Sequence, residues 1–124
     1  MNIVDSSCWI EYYATGDLEK EIVETIEAVA ELLVPSIVVY EVFKKILADK
    51  THYDALAAVA HLRRGKIIDL NEELALIAVN ASRKHRLPLA DSIIYATAQK
   101  HHCALWTKDR HFAGLECVRY FAKS

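Results

Sequence analysis

Four carboxylates stand where an acid is unfavourable. Asp5 closes the apolar run "NIV", Glu41 interrupts "IVVYEVF", Asp91 opens the apolar stretch after "LPLA", and Asp109 follows "CALWTK". Each is expected near a folded interior, where an unpaired charge costs free energy. Taken singly, each has an ordinary reading. Asp5 could cap a turn, Asp91 could be a first-turn helix acid, and Asp109 could sit in a loop. Glu41 could be an exposed helix residue paired with Lys44 or Lys45. Together they read differently. Like charges held close repel and raise one another's pKa, and a multivalent cation relieves that repulsion. All-oxygen donors point to a hard ion, Mg²⁺ or Mn²⁺, rather than zinc. One or two such ions can activate a water and stabilise the departing oxygen of a phosphodiester. The other acids mostly fall on polar helix faces (Glu19, Glu24, Glu27, Glu31) or at a helix start (Glu72, Glu73), where solvation or the helix dipole accounts for them.

The elements that must position these acids can be read from periodicity. "NIVDSS" (2–7) reads as a short buried strand ending in turn-formers. Residues 18–33 repeat apolar side chains at helical spacing (Ile22, Ile26, Val29, Leu33), and Pro35 breaks the pattern. Further helices are expected over 38–50 with Ser36 as a cap, over 53–65 closed by Gly65, over 71–85 with Asn71 as N-cap, and over 89–102. Strands are expected at 66–70, 103–107 and 117–121. Strands alternating with helices argue for an α/β layer fold with a mainly parallel sheet. In such sheets ligands bind beyond the carboxyl ends of the strands. Asp5 and Asp109 both fall just past the last apolar residue of an expected strand, the first sign that the acids form a group.

Composition bounds the rest. The chain has 124 residues, read as one domain over 1–124, with 53% hydrophobic residues, 26% charged residues and a formal net charge of −2. Bulk electrostatic grip on nucleic acid calls for a basic protein, so any action on nucleic acid must come from a local site, a local basic rim or an assembly. Residues 1–15 carry no basic n-region and no small-residue cleavage site, and the expected location is the cytosol. Cys8, Cys103 and Cys117 form no C-x-x-C pair and are expected as buried free thiols.

"NIVDSSCWIEYY", "VPSIVVYEVFKKI", "LPLADSIIYATA" and "LWTKDRHF" occur in this order. They resemble the four motifs of the PIN-domain family, and within it the VapC-type toxins of toxin–antitoxin pairs. The resemblance spans essentially the whole chain. It implies a three-layer α/β/α PIN-like fold and a Mg²⁺- or Mn²⁺-dependent endoribonuclease that hydrolyses RNA phosphodiester bonds with a metal-activated water. Asp5, Glu41, Asp91 and Asp109 would then be the catalytic and metal-binding acids, with Ser7 and Thr107 as supporting hydroxyls. Products would carry a 5′-phosphate and a 3′-hydroxyl. The implied partners are a VapB-type antitoxin and a second copy of the chain.

Lys108 and Arg110 are candidate RNA contacts; solvation or pairing with nearby carboxylates is the plainer role for Lys44 and Lys45. The basic run "ASRKHR" suits a helix C-terminus. His101, His102 and His111 match no zinc spacing and read as surface or packing residues. Trp9, Tyr12 and Tyr13 could stack on a base or face a partner, with core packing expected for at least one. Two other readings remain: a housekeeping PIN nuclease in RNA processing, and a non-catalytic module whose acids hold a partner's basic segment. A Rossmann-like nucleotide site is disfavoured, because no G-x-G-x-x-G or G-x-x-x-x-G-K-[ST] is present.

Overall fold

The computed structural model describes residues 1–123. Its elements run β1 (Asn2–Val4), α1 (Ser6–Ala14), α2 (Lys20–Glu27), β2 (Leu33–Pro35), α3 (Ser36–Asp49), α4 (His52–Leu62), β3 (Lys66–Ile68), α5 (Glu72–His85), α6 (Leu89–His101), β4 (Ala104–Thr107) and β5 (Val118–Tyr120), with short 3₁₀ turns at Val29–Glu31 and Arg110–Phe112. Strands β1, β4 and β5 pair side by side, β2 pairs with β3, and every pairing is parallel. A parallel bridge between Asn2 and Leu32 ties the two groups, so the strands lie in the order β3-β2-β1-β4-β5. Ile3 and Val4 point to opposite faces of β1 and both are buried. Both faces of the sheet are therefore covered by helices, in the α/β/α arrangement expected from the sequence.

This order has one consequence for function. The chain steps outward from β1 to β2 to β3, then returns to the other side of β1 to lay down β4 and β5. The reversal opens a crevice between the carboxyl ends of β1 and β4, the place where parallel α/β sheets bind ligands. Asp5 comes directly after β1 and Asp109 comes two residues after β4, so both acids stand at that crevice.

Local structure departs from the sequence reading in several places. Ser6 and Ser7 do not end a strand in a turn; they begin α1 directly. The helix expected over 18–33 stops at Glu27, and Leu33–Pro35 is a fully buried strand. A short apolar run has no periodicity of its own, and "LLVP" pairs with "KII" because that pairing satisfies its backbone in the interior. Ser36 lies inside α3, whose N-cap is Pro35. Asn71 is the N-cap of α5 as expected, accepting from the Leu74 N–H at 2.9 Å, and Arg83, Lys84 and His85 occupy the last turn of that helix. Cys8 and Cys103 are buried free thiols, but Cys117 is exposed. Trp9 packs in the core with its ring edge-on to His61, centroids 5.0 Å apart.

Gly65 does not cap α4, which ends at Leu62 with Arg63 as C-cap. Its role is close approach. A Cβ at Gly65 would meet Leu32 Cβ and Val34 Cγ2 at 3.1 Å and the Leu32 carbonyl oxygen at 3.2 Å. Leu32 is held in the sheet by the Lys66 N–H on its carbonyl, so it has little freedom to give way. We expect Gly65→Ala to destabilise the fold by about 1–3 kcal/mol, read as a lower midpoint in thermal or urea unfolding. An unchanged midpoint would mean that the β2–β3 edge yields.

Candidate active site

Asp5 occupies the N-cap position of α1 with extended backbone, yet its carboxylate makes no capping bond. The side chain is instead held over the sheet edge. Its Oδ2 accepts from Ser7 Oγ at 2.6 Å and from Thr107 Oγ1 at 2.9 Å. Ser6 Oγ is 3.5 Å from Oδ1 but donates its hydrogen to Glu41 Oε1 at 2.6 Å. Asp5 Oδ1 is thus the oxygen left open. Only 2% of Asp5 is exposed. Burial is the largest influence on its carboxyl. With the charges of Asp109 and Glu41, it holds the group above the usual range against the pull of the two hydroxyls.

Thr107 ends β4 and is fully buried. Its hydroxyl donates to Asp5 and accepts from the Asp109 N–H at 2.9 Å. One hydroxyl therefore sets the spacing between the first and the last acid. Glu41 sits in the second turn of α3, and its bond from Ser6 joins it to the start of α1. It makes no ion pair with Lys44 or Lys45; Lys45 pairs with Asp49 at 3.1 Å, and Lys44 lies over the Tyr40 ring. Asp91 lies in the first turn of α6 and is 9% exposed.

Asp91, Asp109 and His111 form the tightest set, each with a ligating atom within 4.8 Å of the others. Asp109 caps the 3₁₀ turn, its Oδ1 accepting from the His111 N–H at 2.9 Å and lying 2.8 Å from His111 Nδ1. His111 Nδ1 is 3.5 Å from Asp91 Oδ2. Burial, a hydrogen bond to Asp109, and the charges of Asp109, Asp5 and Glu41 push Asp91 up to about 8. Burial acts to raise Asp109 too, but the His111 N–H, the bond from Asp91 and the His111 ring outweigh it and hold Asp109 below its ordinary value. Asp5 and Glu41 stand outside this tightest set and reach it through Thr107 and Ser6.

This donor set suits a divalent cation of the hard or borderline kind. It offers carboxylate oxygens from two elements, a crowding of negative charge, and room for a substrate beside it. A cleft of about 630 Å³ reaches the set at Asp109, lined by Asp109, Arg110, His111, Tyr120 and Lys123 among others. Arg110 is exposed on its rim. Lys108 is differently placed. Its side chain is 8% exposed, and its ammonium donates to both oxygens of Glu19, at 2.7 and 3.1 Å. To reach a phosphate it would have to leave that pair.

Two participants escape a reading of the sequence alone. Ser6 looks there like a turn-former, although its place between Asp5 and Ser7 is a signal. His111 looks like a surface or packing residue. It is half-exposed, but its ring belongs to the acidic set.

The sequence pattern of the PIN domain matches residues 3–116. The chain belongs to the PIN-domain family. No curated protein sequence gives a significant match. Among solved structures, this PIN domain is similar to a toxin–antitoxin complex from Klebsiella pneumoniae, with 24% identity, 96% of each chain covered and a TM-score of 0.80. It also resembles VapC20 of Mycobacterium tuberculosis, a sarcin–ricin-loop-cleaving toxin, with 17% identity, 94% of this chain and 95% of that one covered, and a TM-score of 0.76. DNA-bound VapBC from Salmonella typhimurium is 16% identical, with 98% of each chain covered and a TM-score of 0.76. At these identities the likeness is one of fold.

The raised Asp91 carboxyl couples the site to stability. Its folded pKa, about 8, lies above the ordinary 3.8. The stability it contributes is therefore complete below the ordinary carboxylate range and is lost as pH rises through about 8. In EDTA, Asp91→Asn should unfold at a higher temperature than wild type at pH 8, by about 1 kcal/mol or several degrees, and the difference should vanish near pH 4. A variant less stable than wild type at pH 8 would show that the acids are not in conflict.

Proposed function

We propose that this PIN domain is a metal-dependent endoribonuclease, the toxin of a VapBC-type pair, hydrolysing RNA phosphodiester bonds in the cytoplasm. The observation that carries the reading is the convergence of Asp5, Asp91 and Asp109, with Glu41 joined through Ser6, on the crevice at the carboxyl edge of the sheet. Structural acids are normally matched by cations; here the nearby ammonium of Lys108 is turned onto Glu19 instead. The set calls for a cation from solution, Mg²⁺ or Mn²⁺.

Asp91 and Asp109 would hold the ion, with Asp5 Oδ1 and Glu41 completing its oxygen environment. When bound, the ion supplies Lewis acidity to a phosphodiester oxygen and makes a nucleophile of water at neutral pH. The chain's own residues do the rest. Ser7 and Thr107 fix the Asp5 carboxylate so that no reorganisation is needed as charge develops. Thr107 also fixes the Asp109 backbone. Arg110 on the cleft rim is suited to gripping a phosphate in two-point fashion, and Lys108 would join it on leaving Glu19. Products with a 5′-phosphate and a 3′-hydroxyl are expected from attack by water.

The proposed protein partners are a VapB-type antitoxin and a second copy of the chain. Support comes from two apolar surfaces. Tyr40 and Leu47 on α3 and Tyr53 and Leu56 on α4 are exposed. A hollow of about 420 Å³ between α5 and α6 is lined by Leu70, Val79, Leu89 and Ile93. A cytoplasmic setting is compatible with the absence, among the described residues, of any helix long and apolar enough to cross a membrane.

Purified protein incubated with total RNA and Mg²⁺ or Mn²⁺ should cleave it, EDTA should stop the reaction, and Asp5→Asn or Asp91→Asn should lower the rate at least about 100-fold. Mapped ends should carry a 5′-phosphate. Cleavage that persists in either variant, or in EDTA, would overturn the assignment.

A further inference from the structure

We infer that His111 supplies a nitrogen donor to the divalent-cation site, so that the site takes a first-row transition ion such as Mn²⁺ in preference to Mg²⁺. The inference deepens the proposed nuclease reading and rests on it for the presence of an ion.

The geometry comes first. His111 Nδ1 lies 2.8 Å from Asp109 Oδ1 and 3.5 Å from Asp91 Oδ2. Neighbouring donors of an octahedral ion with arms of about 2.1 Å are about 3.0 Å apart. The His111–Asp109 pair has the spacing of cis ligands, and the Asp91 oxygen lies close enough, within 4.8 Å of both, to share an ion with them after a small adjustment. Asp109 and His111 also line the cleft beside this set.

The ring is also placed by the fold rather than left free. The 3₁₀ turn that carries it begins at Asp109, whose N–H is bonded to Thr107 at the end of β4. It is anchored one residue later by Phe112, which is fully buried. The His111 N–H on Asp109 Oδ1 closes the turn and directs the imidazole to the carboxylates. About half of the side chain is exposed, so Nε2 can carry the ring hydrogen and meet water while Nδ1 presents its lone pair to an ion.

Chemistry then sets the selectivity. Mg²⁺ takes oxygen donors and keeps much of its water shell, whereas imidazole suits first-row transition ions. A site of two carboxylates and one imidazole gives Mn²⁺ a ligand from which Mg²⁺ gains little. The alternative is that the ring only steadies Asp109 by a hydrogen bond. In that case both ions would feel its loss equally, and Asn, which can also donate to Asp109, would replace it.

The test uses the RNA-free, EDTA-stripped protein, titrated calorimetrically with MnCl₂ and with MgCl₂, and pulsed EPR of the Mn²⁺ complex. Wild type should bind Mn²⁺ at least about tenfold more tightly than Mg²⁺ and show a nitrogen coupling to the ion. His111→Ala should abolish that coupling and weaken Mn²⁺ about tenfold, with Mg²⁺ changed by less than about threefold. His111→Asn should behave as His111→Ala does. No nitrogen coupling in wild type, equal losses for both ions, or recovery of Mn²⁺ affinity in His111→Asn would overturn the ligand role. If Mn²⁺ binding is abolished by Asp91→Asn but untouched by His111→Ala, only the His111 role fails. If neither ion binds wild type, the nuclease reading fails with it.

Discussion

Repulsion among carboxylates in a poorly solvated crevice is the constraint on which the structure turns. Asp5 is almost wholly buried, Asp91 nearly so, and the charges of Asp5, Glu41 and Asp109 all bear on Asp91. Such a group resists losing its protons, and the raised Asp5 and Asp91 carboxyls show that resistance. Hydroxyls hold the acids in place. Ser6, Ser7 and Thr107 each donate to an acid, and Thr107 also receives the Asp109 N–H. Among the described residues, no buried side-chain nitrogen or oxygen lacks a hydrogen-bond partner. The strain at the site is therefore one of charge, not of unmet hydrogen bonds, and a divalent cation is its natural relief.

The parallel sheet makes this crowding possible. Strands β1 and β4 point the same way, so the segments leaving their carboxyl ends must emerge at the same edge. Reversal of strand order between them leaves that edge open to solvent rather than covered by a crossover. The apolar interior carries the cost: Ile3, Val4 and Leu105 are buried beneath the acids, and Phe112 is buried just beyond them. A crowd of carboxyls that burial disfavours is thus mounted on the buried centre of the molecule. Lys108 fits the same logic. Next to Asp109 in sequence, it would neutralise the cluster if it turned inward, but Glu19 draws its ammonium away and leaves the charge for a ligand.

Much of this is legible along the chain, and the exceptions share a cause. The long periodic helices α3 to α6 and the strands β1, β3, β4 and β5 are readable because amphipathic spacing, Asn71 and the placement of basic residues all agree. β2 is not, because "ELLVPS" continues a helical apolar pattern until the pairing with β3 overrides it. The start of α1 is hidden behind two serines that look like a turn, although Trp9, Tyr12 and Tyr13 follow at helical spacing. Gly65 looks like a cap, but the glycine is needed for the approach of Leu32 and Val34.

What the sequence by itself determined is the chemistry: four acids of a type that binds hard cations, set in four motifs whose order marks a PIN domain. These depend on residue identity and local context, which are written along the chain. Only the tertiary structure decided which groups attend the acids. Thr107 meets Asp5 across 102 residues, Ser6 meets Glu41 across 35, and Lys108 is claimed by Glu19 from 89 residues away. His111 became part of the site because a 3₁₀ turn swung its ring over Asp109 and α6 brought Asp91 alongside. Such meetings depend on how the crossovers fold back onto the sheet, and no local pattern encodes that.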